Sequence, residues 1–206
     1  AAPLVALLPA LLAGVPASAQ QWPARPVRVI CSGVGGGADI AARLLAPGLS
    51  EALGQQVVID NRASGVIPGE VAAKAPADGY TLLFYNNTVW VAPLFQSVSY
   101  DAARDFAPVT LASRSPNILV VHPALPVSGV AQLVALAKKR PGELNYATGS
   151  TGASNHVAAE LFKSMAGIDI VRIPFKNGSL ESAALLSGEV QIMFGSVSMM
   201  PYVKSG

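Results

Sequence analysis

An apolar run, Val27-Arg28-Val29-Ile30-Cys31, empties into Ser32-Gly33-Val34-Gly35-Gly36-Gly37 and passes at Ala38 straight into a helical pattern. This order of strand, glycine loop and helix start restricts the fold more than any other feature. Glycine lets the main chain turn tightly and approach a ligand closely. The first N–H groups of a helix have no internal partner, and the macrodipole adds roughly half a positive charge there. A carboxylate or phosphate can therefore be held without an arginine. Gly35, Gly36, Gly37 and Ala38 are candidate ligand contacts on this ground. Asp39 is a second-sense candidate, either capping the first turn or meeting the ligand directly or through water. Gly37→Val is expected to crowd the loop and abolish binding.

From Pro26 onward, short apolar runs alternate with helical patterns, which is how parallel sheets flanked by helices are built. The class is α/β. Strands are expected at 25–32, 56–60, 80–85, 117–121, 144–147, 170–174 and 190–194, with an extended segment at 106–113 marking a crossover between domains. Helices are expected at 38–53, with Ile40, Leu44, Leu45, Leu49 and Leu53 on one side and a bend at Pro47-Gly48, and at 69–74, 128–139 and 180–187. Ser128 is the expected cap of its helix.

A second small-residue loop, Thr148-Gly149-Ser150-Thr151-Gly152-Ala153-Ser154-Asn155-His156, also runs from a strand into a helix, the one carrying Val157, Leu161 and Phe162. Ser150, Thr151, Gly152, Ala153, Ser154, Asn155 and His156 form a second candidate set of the same kind. Asn86, Asn87 and Thr88 leave the third strand where open α/β sheets place a ligand crevice. Phe175 is positioned to wall such a cleft, and Lys176 to pair with a carboxylate.

Composition removes several functions. The 206 residues are 51% apolar, enough for a core, and only 13% charged, with a net charge of +2 and no basic cluster. A nucleic-acid binder would show a basic stripe. Cys31 is the single cysteine, which excludes an internal disulfide and a multi-cysteine metal cage; it reads as a buried strand residue. His156 and Glu160 share a helix face, but no further His or Cys is placed to complete a metal site. Ser154 near His156 lacks a G-x-S-x-G elbow, so neither a catalytic residue nor a cofactor is expected. Residues 1–19 read as a secretory signal peptide: an apolar Leu4–Val15 stretch broken by Pro9 and Gly14, then Ala17-Ser18-Ala19 before Gln20. The stretch is shorter than the about 20 residues a membrane span takes. Export with one cysteine fits a bacterial periplasm. One rival shares the loop's physics. Gly33-Val34-Gly35-Gly36-Gly37-Ala38 satisfies G-x-G-x-x-G/A with Asp60 ending the next strand, the fingerprint of an NAD-dependent oxidoreductase.

The words Asn61-Arg62, Lys74-Ala75-Pro76-Ala77-Asp78-Gly79-Tyr80-Thr81-Leu82-Leu83, Asp105-Phe106-Ala107-Pro108-Val109-Thr110, Leu144-Asn145-Tyr146-Ala147 and Glu160-Leu161-Phe162-Lys163 together resemble the Bug-type substrate-binding proteins of tripartite tricarboxylate transporters, from about Trp22 to the end. Dehydrogenases have no counterpart to them. The resemblance implies a two-lobed, type II periplasmic-binding-protein-like fold, with lobe I at 20–110 and lobe II at 111–206. It implies a small organic carboxylate bound between the lobes, delivery to integral-membrane permease subunits, and a monomer when complete. In that family the chain returns from the second lobe to finish the first, so the stop at Lys204-Ser205-Gly206 implies a C-terminally truncated first lobe with an exposed sheet edge and apolar surface. The chain departs from the family pattern at Gly195, where relatives tend to carry an acid after Met-Phe.

Overall fold

The computed structural model describes residues 22–62 and 65–205; the signal-peptide reading of residues 1–19 lies outside them. Elements follow in the order β1 (Val27–Cys31), α1 (Gly37–Leu53), β2 (Val57–Asn61), α2 (Ile67–Ala73), β3 (Thr81–Leu83) and α3 (Thr88–Val91). An irregular stretch then leads to β4 (Ile118–Val121), α4 (Val130–Lys139), β5 (Asn145–Thr148), α5 (Ser154–Ala166), β6 (Val171–Pro174), α6 (Gly178–Leu186), β7 (Ile192–Gly195) and α7 (Met200–Ser205).

Two sheets result. The first is parallel, in the order β2-β1-β3, with Val29 opposite both Ile59 and Leu82. Central β1 is buried on both faces, which is why Val27, Val29, Ile30 and Cys31 read as a continuous apolar run and not as an alternation. Burial pushes the Cys31 thiol up to about 11, so it is an inert packing group. The second sheet has the order β4-β7-β5-β6, parallel except for the antiparallel pair β4 and β7. Its pleat feeds two apolar clusters, one from each face. Tyr146, Ile192 and Phe194 pack with Leu133, Ala137 and Ala159, while Ala147 and Met193 pack with Ala184, Leu185 and Met199.

Several local expectations are corrected. The helix after Ser128 has Gly129 as its N-cap, with no side-chain cap bond. Ser128 instead donates its backbone N–H and its hydroxyl to Gln132 Oε1, at 2.7 and 2.9 Å. Residues 106–113 form no strand, and Pro108 lacks the N–H that a ladder needs. Thr88 opens a short helix where only a strand exit was expected. Helix α1 runs through Pro47 as one element and ends on Gly54 at φ 63°, a left-handed cap that glycine adopts freely. Its buried residues are Asp39 and Ala42. Leu44 is 77% exposed and Leu49 43%, so the middle of the expected apolar stripe is bare among the described residues, while Ile40 and Leu53 at its ends are half-buried.

Candidate functional site

The first loop is held by its own helix. The Asp39 carboxylate, 2% exposed as a residue, accepts the Gly35 N–H at 3.0 Å, Arg43 Nε at 2.9 Å and Asn61 Nδ2 at 2.8 Å. Asn61 Nδ2 also donates to the Ser32 carbonyl. Asp39 is thus spent on shaping the loop and on a cation and an amide beside it. The N–H groups of Gly37, Ala38 and Asp39 find no acceptor among the described residues, and they are the groups an anion would use.

Gly35 sits at φ +79°, and a Cβ there would lie 2.0 Å from Ser179 Oγ. A Cβ on Gly178 would lie 2.7 Å from the Gly35 carbonyl oxygen. The Ser179 hydroxyl donates to the Val34 carbonyl at 3.3 Å. The first loop therefore abuts the start of α6, which belongs to the second sheet. A Cβ on Gly37 meets Ser196 at 3.7 Å, whereas the tightest approaches between this loop and α6 fall on Gly35 and Gly178. At α6, Asn177 Oδ1 accepts Leu180 N–H at 3.0 Å, leaving the N–H groups of Gly178 and Ser179 without acceptors among the described residues.

The second loop is organised from outside by Arg172. Its guanidinium donates to Thr148 Oγ1, Thr151 Oγ1 and the Gly149 carbonyl at 2.9 to 3.2 Å, and no ion pair of Arg172 occurs among the described residues. Asn155 links this loop to α6: its Nδ2 donates to Glu181 Oε2 at 2.7 Å, and its Oδ1 accepts from His156 N–H. Ala153 is the N-cap of α5 and Ser154 its first residue, with the Ser154 hydroxyl 3.5 Å from Asn117 Oδ1. His156 Nδ1 accepts the Gly152 N–H at 3.2 Å. Burial first, and then Arg172, hold the imidazole below its ordinary pKa, so it is neutral and fixes the loop. Ser150 lies opposite Gly65, whose Cβ would be 3.4 Å from the serine Cβ.

Across the gap, Asn87 Nδ2 donates to the Gly152 carbonyl at 3.2 Å, and a Cβ on Gly152 would meet Ala92 N at 3.0 Å. Asn86 is exposed and turns its Oδ1 onto Thr88 N–H. Phe175 packs against the cluster around Met193 and Leu185, and Lys176 is exposed. The first loop thus meets the α6 start, and the Asn87 and Gly65 segments meet the second loop at Gly152 and Ser150. Sequence reading missed Arg172, Glu181, Tyr85 and the α6 start. Asn177-Gly178 ahead of a helical run is a cap signal that marks the last of these; the others carry no local signal. No group of three or more His, Cys, Asp or Glu able to hold a metal exists among the described residues.

Glu181 is 5% exposed and touches only an amide, and burial pushes its carboxyl up to about 7. Between its ordinary value of 4.5 and about 7 the folded protein keeps a proton that the unfolded chain has released. Stability therefore falls as pH rises through that window and levels off above it. Glu181→Gln keeps an acceptor for Asn155 and is expected to stabilise the fold at about pH 8 by roughly 2 to 3 kcal/mol, with little effect near pH 4. Urea melts of parent and variant across this range check it; equal slopes in pH would refute it.

Residues 41–206 match the model of the tripartite tricarboxylate transporter family receptor. The chain is 36% identical over 198 residues to protein BugT of Bordetella pertussis, covering 93% of this chain and 61% of that one. It superposes on Rpa4515 of R. palustris, solved with adipate, with a TM-score of 0.86 at 37% identity, covering 90% of this chain and 64% of that one. A periplasmic transporter structure matches at a TM-score of 0.80 and 31% identity, with the same coverage. The chain spans 54% to 62% of the length of the curated relatives that it matches over most of its own length. Asp60, the acid that a dinucleotide reading needs for a ribose, is paired with Arg62 at 2.7 Å and lies 3.6 Å from Arg28. The mixed α/β fold, the loop geometry and the family match agree, and this chain belongs to the tripartite tricarboxylate transporter receptor family.

Proposed function

We propose that this chain captures a small organic carboxylate in the seam between its two sheets, with residues 20–110 and 111–206 as the two lobes, and makes and breaks no bond in it. The observation that carries the reading is the meeting of three helix starts. The α1 loop touches the α6 start through Ser179 and Val34, and the α6 start touches the α5 start through Glu181 and Asn155. Each offers N–H groups without acceptors: Gly37, Ala38 and Asp39 on α1, Ser154 and Asn155 on α5, Gly178 and Ser179 on α6. Converging N-termini stabilise negative charge from fixed dipoles. Exclusion of water strengthens them, because the local dielectric falls. Backbone donors hold an acid without the deep desolvation of a buried ion pair, which suits release as well as capture. The adipate bound to the 37%-identical R. palustris protein supports a carboxylate as the ligand class.

The family's receptor role supports a periplasmic location and presentation of the bound acid to membrane permease subunits, which would read the closed shape. A thermal-shift screen of mono-, di- and tricarboxylates against the purified chain tests the binding step. At least one acid is expected to raise the melting temperature in a saturable way. A flat response across the set, with isothermal titration also flat, would sink the reading.

A further inference from the structure

Two of the helix starts offered to the anion carry an acid in their first turn, and the two acids stand differently. Asp39 of α1 has Arg43 at 2.9 Å as a counter-charge, besides the Gly35 N–H and Asn61. Glu181 of α6 has no ion pair among the described residues. It is buried, and its Oε2 accepts Asn155 Nδ2 at 2.7 Å from the first turn of α5, while its Oε1 accepts nothing among the described residues. A Cβ on Gly149 would lie 3.3 Å from that Oε1, so the free oxygen faces the loop that feeds α5. Helix dipoles favour an ionised acid in a first turn, but burial opposes the charge and pushes this carboxyl up to about 7. The elements around it bring no compensating cation. Arg172 on β6 directs its guanidinium to Thr148, Thr151 and the Gly149 carbonyl, and Lys176 ahead of α6 is exposed. On α5, His156 is neutral, and Glu160 and Lys163 pair with each other. Of β5 and β7, which α6 packs against, only Tyr146 titrates, and it lies in the opposite cluster. Across the first loop, Asp39 and Arg43 are paired together.

Resting on the carboxylate reading above, we infer that Glu181 couples capture of the acid to uptake of a proton: the ligand is held with Glu181 neutral, and a proton taken from solvent onto this carboxylate leaves again when the ligand does. A ligand carboxylate and an ionised Glu181 would compete for the same two helix dipoles where no cation is present. Ligand and proton therefore raise each other's affinity by the same factor. Rising pH weakens binding once it passes the value of the free protein, about 7, and the loss levels off above the higher value of the liganded protein. Alkaline conditions favour release.

Isothermal titration with butyrate, succinate, adipate and any further acid found in the screen tests this between about pH 6.5 and about pH 9, where simple carboxylates stay ionised. The affinity of each acid that binds is expected to fall about five- to tenfold across that range, as one unit of difference between the free and liganded values requires. At about pH 7.5, binding enthalpies in phosphate, HEPES and Tris, which differ in ionisation enthalpy, are expected to report uptake of about half a proton. Glu181→Gln keeps an acceptor for Asn155 and the shape of the neutral acid. It is expected to hold its affinity within about threefold over the whole range and to take up no proton. Glu189→Gln, at an exposed position beyond the other end of α6, is expected to keep the fall seen in the parent. A purely structural role for Glu181 would change affinity equally at every pH and leave the slope in place. If the parent's profile is flat, or if the slope and the proton uptake survive in Glu181→Gln, the inference is overturned and the carboxylate reading stands. If no acid in the titrations or the wider screen binds at any pH, both are overturned together.

Discussion

Gly35→Ala is expected to weaken carboxylate binding at least tenfold and to lower stability by about 1 to 2 kcal/mol. Two independent costs act at this position. The backbone is at φ +79°, where an L residue loses roughly 1 to 2 kcal/mol against glycine. The added methyl would also fall 2.0 Å from Ser179 Oγ and 3.2 Å from Ser179 N. A hydroxyl can rotate away, but the backbone of α6 cannot, so the start of α6 must back off from the loop. Two of the three helix starts proposed to hold the anion would then separate. Gly37→Ala is the matched control. Its methyl meets Ser196 at an ordinary 3.7 Å, and binding is expected to stay within about threefold. Titration of both variants with the best acid from the screen, together with urea melts, settles the comparison. Equal affinities for Gly35→Ala and the parent would show that closure between loop and α6 has no part in binding.

The second large effect is predicted at Asp39. Asp39→Ala removes the acceptor for three donors, the Gly35 N–H, Arg43 Nε and Asn61 Nδ2. The carboxylate side chain is 3% exposed while that of Arg43 is 52% exposed, so the arginine regains water and the buried donors do not. A loss of about 3 kcal/mol is expected, between the value of one neutral hydrogen bond and that of a fully buried pair. For a chain of this size that is a fall in melting temperature of about 6 to 12 °C. Asp39→Asn should lie between, because one amide face repeats the acceptor while the other meets donors. The loop is also expected to lose amide protection from Ser32 to Gly36, measurable by hydrogen exchange. A melting temperature unchanged in Asp39→Ala would mean that the first loop holds its shape without this carboxylate.

Much of the architecture was legible residue by residue. The strands at 27–31, 57–61 and 145–148 and the helices after each glycine or serine loop follow from periodicity and from loop composition, which act between neighbours in the chain. Boundaries moved by a residue or two, as expected where helix ends and strand ends fray. The failures share a cause. Leu44, Leu45 and Leu49 form an apolar stripe by spacing, yet they are exposed, because periodicity states which residues share a side and not whether anything covers that side. Asp39 read equally well as a ligand contact and as a loop support. Two of its three partners, Gly35 and Arg43, lie four positions away, but the third, Asn61 on β2, lies 22 positions on and reaches it only through the fold. Arg172 looked like an ordinary strand arginine until the register of β6 against β5 set it beside Thr148.

By itself the sequence determined the units: a strand, a loop of small residues and a helix whose first N–H groups are unpaired, repeated in both halves. Those features depend only on consecutive residues, since the donors left over at a helix start and the freedom of glycine are local properties. Only the tertiary structure decided which helix starts meet. Ser179 reaches Val34 across 145 positions, and Asn87 reaches Gly152 across 65. Contacts at such separations are set by how the sheets pack, and a single helix start attracts an anion weakly in water. On the proposed reading, bringing several together between the sheets is what turns a local dipole into a binding site.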